Sequence, residues 1–217
     1  MTRTARLNRT ARLNRIAATV ALSLLAVTGL SACSDTQVGA AAVVDGKRIP
    51  TDTLQQETRG YLKVVPGTDG AMVQRQILQR MVLSKVIARA AQDVGVSVRP
   101  GAVARERDTL LKTVGGRTGL VKALAAQATP TVLSPAYIDQ WFTDRALYGK
   151  ITTKLAGSGD PGSAEAASAA SNALAKASRQ ISIRISPRYG TWSPQKGVVA
   201  LLSGGLSTSA EQLAASS

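Results

Sequence analysis

The 217-residue chain predicts a mainly α fold with a small β-sheet, and three observations carry that prediction. From Ala71 to Val94 one apolar row (Val73, Ile77, Met81, Ser84, Ala88, Ala91) recurs at spacings of three and four. Leu78, Val82 and Val86 form a second row beside it, so this helix should bury a wide face. Near the start, two short pieces, Ala42-Val43-Val44 and Lys47-Arg48-Ile49, flank Asp45-Gly46, which is the composition of a tight hairpin turn. Near the end, Ile181, Ile183 and Ile185 alternate with Ser182, Arg184 and Ser186, the period of a half-buried strand. An isolated strand is unstable, and the early hairpin is its expected partner.

Taken in order, the chain begins with Arg3, Arg6, Arg9, Arg12 and Arg15 and no acid among them. An apolar run from Ile16 to Leu30 follows, ending in Leu30-Ser31-Ala32-Cys33. A basic head, a short apolar segment and a small-residue exit make residues 1–32 an export signal. At about 15 residues, each rising about 1.5 Å, the run is too short for a hydrocarbon core ~30 Å thick. Leu-Ser-Ala-Cys resembles the bacterial lipobox. That resemblance implies a diacylglyceryl group on the sulfur of Cys33, which becomes the first residue after cleavage. Cys33 is the single cysteine of the chain and has no partner for an internal disulfide. Two or more acyl chains anchor stably where one does not. The expected location is therefore the extracytoplasmic face of the cell membrane, with residues 33–39 as a lipidated tether. The duplication of Thr4–Arg9 as Thr10–Arg15 lies within the signal and says nothing about the fold.

Residues 40–193 are the expected domain. Thr51 or Asp52 should cap a helix running to about Leu62, closed by Pro66-Gly67. Gly95 ends the long helix. Pro100 opens a charged helix, about 101–114, that stops at Gly115-Gly116, and a shorter one should cover about 119–128. Ser134-Pro135 supplies a cap and a first-turn proline. On the helix that follows, Ile138, Trp141, Phe142, Tyr148, Ile151 and Leu155 share a side expected to dock on the long helix. Ala156 to Gly162 is a loop, and Ser163 to Ser178 is an alanine-rich helix whose thin side chains should grip weakly. Pro187-Arg188-Tyr189-Gly190-Thr191-Trp192 closes the ordered part, leaving 194–217 as an expected disordered tail.

Composition narrows the chemistry. With no histidine, His-based acid–base and nucleophilic sites and His-ligated metals are excluded. With one cysteine, thiolate clusters go too, so neither a metal nor a cofactor is expected. Aromatics are 3% of the chain, too few for base-stacking platforms, and nucleic acid is not an expected partner. The net charge of +14 is dispersed once the leading arginines are set aside. A solvated basic surface explains it, and such a surface is also attracted to anionic lipid. Ser193-Pro194-Gln195-Lys196 has a Ser-x-x-Lys spacing without the companion motifs of penicillin-recognising enzymes. Gly157 to Gly162 has phosphate-loop spacing without the lysine.

Together the segment Ala42-Val43-Val44-Asp45-Gly46 with Ile49 and Thr51, and the helix through Ile77, Leu78, Met81, Val82 and Ala91 to Gly95-Val96, resemble the N-terminal domain of the SurA and PrsA family of extracytoplasmic folding factors. The helix from Ser134 to Leu155 and the closing Pro187–Trp192 stretch also fit. The resemblance implies a helical domain closed by an N-terminal hairpin and a C-terminal strand, binding unfolded or exported polypeptides. Tyr61 and Trp141 are then the candidate peptide-binding side chains, core packing being the competing role for Trp141. Many members carry a parvulin prolyl isomerase where this chain has Ala156 to Gly162, and the parvulin site uses histidines. The resemblance therefore implies a holding domain without the enzyme. An adaptor lipoprotein serving one specific protein partner is the alternative.

Overall fold

In the computed structural model, residues 38–126 and 134–201 are described. All described residues belong to one compact unit. The signal, Cys33 and the tail beyond 201 lie outside the described residues, as does the expected end of the 119–128 helix.

The hairpin forms as its sequence dictates. β1 (Ala40–Val44) and β2 (Lys47–Pro50) pair antiparallel, with Val44 opposite Lys47 and Ala42 opposite Ile49. Asp45 (φ 50°) and Gly46 (φ 75°) both take the left-handed conformation that a two-residue hairpin turn requires. β3 (Ile183–Ile185) closes the other edge of β1, with Val44 opposite Ile183 and Ala42 opposite Ile185, giving the order β2-β1-β3. The two ends of the domain thus meet in one sheet. β1 is its central strand, buried at every position, and accordingly reads as a continuous apolar run.

Neither Thr51 nor Asp52 caps α1 (Thr51–Val64). Pro50 holds the cap position in an extended conformation, and the N–H of Thr51 donates to the carbonyl of Gly39 at 2.9 Å. The carbonyl of Gly39, the residue before β1, thus satisfies one of the free N–H groups of the first turn. α2 (Gly70–Asp93) begins at Asp69, whose carboxylate accepts from the N–H of Ala71 at 2.8 Å. Its buried face holds both expected rows except Ala88, and adds Ile87 and Ala90.

α5 (Pro135–Ala156) and α6 (Ala164–Gln180) pack on α2 and on each other. The alanine-rich helix grips better than its thin side chains suggest. Ala166, Ala170 and Ala177 are buried, and small residues let neighbouring backbones approach closely. α3 (Pro100–Thr113) buries no residue fully, while α4 (Gly116–Ala125) buries Leu120 and Leu124. These two leucines join Ile138 and Phe142 of α5 in a small core separate from the main one. Farther along α5, Leu147 and Ile151 belong to the main core, so this one helix serves both. Leu155, expected on the docking side, is exposed.

The domain does not stop at 193. β4 (Thr191–Ser193) pairs antiparallel with β5 (Val198–Ala200) in a second small sheet, and β5 lies inside the stretch expected to be a disordered tail. Trp192 and Val199 are buried in the main core, and burying them is what orders the hairpin. The expected boundary is corrected to include at least Ala200. No helix among the described residues is long and apolar enough to cross a membrane, and no group of acids there is arranged to hold a metal ion.

Candidate functional site

The concave surface worth attention is a groove of about 210 Å³ between α2 and α5. α2 contributes Arg80, Met81, Leu83, Ser84 and Ile87; α5 contributes Tyr137, Gln140, Trp141, Asp144, Arg145 and Tyr148. On α5, positions 137, 141, 144 and 148 follow the helical repeat and form one stripe. The direction of that stripe is set where α5 starts. Ser134 sits at the cap position, but its hydroxyl makes no cap bond; its backbone N–H donates instead to Oε2 of the buried Glu57 on α1, at 3.1 Å. Ser134 thus holds the expected cap position without the expected hydroxyl bond, and a carboxylate from another helix ties down its backbone N–H.

Trp141 is half-buried and is held from both sides. Its ring meets the fully buried Phe142 edge to face, with centroids 4.9 Å apart and planes at 81°. The guanidinium of Arg145 lies 5.6 Å over its centroid, in the range of a cation–π contact. Arg145 also reaches Glu106 of α3 at 3.4 Å. An indole so placed presents a preset apolar surface, which lowers the entropy lost on binding.

Asp144 is the acid in the groove wall. Its Oδ1 accepts from Ser84 Oγ at 3.0 Å and from Gln140 Nε2 at 2.8 Å. Burial pushes this carboxyl above its ordinary range, while the two hydrogen bonds and the charge of Lys85 pull the other way. Burial likewise raises the Tyr137 phenol, with a smaller push from the charge of Glu57.

Of the two candidate peptide-binding residues, only Trp141 is in the groove. Tyr61 is 3% exposed, packed in the main core on α1. Its ring cannot touch a bound chain from there, and that assignment is corrected to a core role. Tyr137 and Tyr148 line the groove with Trp141, and the repeat that joins the three positions was the signal that could have found them. Cys33 falls outside the described residues. The groove as built can bury an apolar side chain against aromatic and aliphatic walls and offer polar groups at its edge.

No curated protein and no solved structure shows a significant match to this chain. A family model described as SurA-like N-terminal domain does match, over residues 4–109. The matched stretch takes in the hairpin, α1 and α2, and so the α2 wall of the groove. The mainly helical architecture with its small antiparallel sheets is consistent with that similarity, which covers just under half of the chain.

Proposed function

We propose that this chain is a membrane-anchored extracytoplasmic lipoprotein whose domain holds unfolded or exported polypeptides in the α2–α5 groove without transforming them. One observation carries the reading: in a chain similar to a chaperone-like family, the groove between α2 and α5 is walled by Tyr137, Trp141, Tyr148, Leu83 and Ile87. Fully burying one large apolar side chain is favourable by about 1.5–3 kcal/mol before ordering costs are subtracted. A groove that takes one or two such side chains therefore binds weakly and releases readily, as a holding protein must. Such a protein acts by binding the unfolded form of its client. The Leu30-Ser31-Ala32-Cys33 stretch supports the anchor, and the lack of histidine supports binding over catalysis.

The test is light scattering from a thermally unfolding client in the presence of the purified mature protein. Suppression near stoichiometric amounts, weakened several-fold by Trp141→Ala, is the expected result. No suppression by the unaltered protein would overturn the holding role.

A further inference from the structure

The α2–α5 groove adjoins a second cavity of about 180 Å³ lined by Arg48, Ile49, Pro50 and Lys85, and the two share Met81, Ser84, Tyr137 and Gln140 as walls. Side by side they make a trough that reaches from α5 to β2, longer than a single side chain needs. We propose that this trough selects client segments whose apolar core is flanked by acidic residues, an inference that rests on the holding role proposed above.

The argument is one of charge. Cations stand along both halves of the trough: Arg80 and Arg145 in the first, Arg48 and Lys85 in the second. The acid lining it, Asp144, is already engaged by donors from Ser84 and Gln140. Glu57, the other acid near Tyr137, is buried and accepts from the N–H of Ser134. Two of the cations are also engaged, Arg145 by Glu106 and Arg48 by the carbonyl of Val38. Arg80 and Lys85 have no ion-pair partner among the described residues. Lys85 lies near enough to act on the charge of Asp144, but four cations line the two halves against that one acid, so a ligand meets a net positive rim around an apolar floor. Exposed pairs of this kind add little affinity each, but they decide which partner is accepted and how fast it arrives.

The experiment uses three labelled peptides with the same core, Leu-Phe-Val-Phe-Leu, flanked on both sides by Glu, by Gln or by Lys. Each is titrated with the mature protein and followed by fluorescence anisotropy at low and at physiological salt. The Glu-flanked peptide is expected to bind about fivefold tighter than the Gln-flanked one, and the Lys-flanked peptide weakest. The gap should narrow with salt, as screening of exposed charges requires. The exchange Arg80→Glu with Lys85→Glu should invert the order, and Arg80→Gln with Lys85→Gln should level it. Equal binding of all three, a preference for Lys, or an order indifferent to these substitutions overturns the inference while leaving the holding role intact. Binding of none of the three overturns the holding role itself.

Discussion

The indole N–H of Trp192 donates to the hydroxyl of Ser178 at 2.6 Å, with both residues buried. Through this bond β4 is fixed to the last turns of α6, and the β4–β5 hairpin is made part of the main core. Ser178→Ala leaves the indole donor buried without its partner, which costs about 1–3 kcal/mol and should lower the thermal midpoint. A chain ending at Ser193 loses the partner strand of Trp192 as well. It should unfold at lower temperature than one ending at Leu201, and equal midpoints would show that β5 adds nothing.

Phe142 is fully buried in the small core with Leu120, Leu124 and Ile138. Phe142→Ala should cost about 3–5 kcal/mol. Because α3 buries no residue fully and α4 is held through these leucines, the loss should appear first as faster hydrogen exchange in residues 100–125. Exchange that rises equally in α2 would mean the two cores open as one.

Two glycines should respond in opposite directions. Gly190 has φ +121°, and a Cβ there would strike the carbonyl of Ala200 on the paired strand. Gly190→Ala should destabilise by more than about 1 kcal/mol. Gly149 lies in α5 with open space around it, and Gly149→Ala should stabilise by about 0.5–1 kcal/mol. Denaturant midpoints of the two variants check both signs.

Asp144 gives the domain a pH response of calculable sign. Its folded carboxyl is raised above the ordinary value of 3.8, chiefly by burial. Between those two values the folded state holds more protons than the unfolded one, so stability falls as pH rises through that window. Asp144→Asn keeps an acceptor for Ser84 and Gln140 and removes the buried charge. The variant should be at least as stable as the parent at neutral pH and should lose that slope. Denaturant titrations across mildly acidic pH would measure it, and an unchanged slope would assign the response to another group.

Cys33→Ser should release the protein from the membrane fraction of expressing cells. Intact mass of the parent should exceed that of residues 33–217 by the mass of the acyl groups. An unacylated parent would remove the anchor from the proposed function.

Where a segment stated its environment locally, the sequence was sufficient. The double apolar row of α2, the Asp45-Gly46 turn and the alternation Ile183-Arg184-Ile185 all carry their periods within a few residues, and each formed with the expected neighbour. Features decided by distant parts of the chain were not legible. Neither Thr51 nor Asp52 caps α1 and the Ser134 hydroxyl makes no cap bond; the backbone N–H groups of Thr51 and Ser134 go instead to Gly39 and Glu57, partners that no local pattern announces. Val198-Val199-Ala200 is too short to show a period, and only its burial against Trp192 makes it a strand. Of the two aromatic residues named for peptide binding, Trp141 lines the groove while also packing on the small core, and Tyr61 lies in the main core. An aromatic residue on a helix reads alike whether its face meets the core or a cleft.

β1 lies between β2 and β3 and is the first strand of the described domain. Antiparallel hydrogen bonds run perpendicular to the strands. A tug on an anchored terminus would therefore load every rung on both edges of β1 at once, in shear, where a peeling force would break them singly. Built this way, the sheet resists a pull directed along its central strand better than one that lifts an edge strand away.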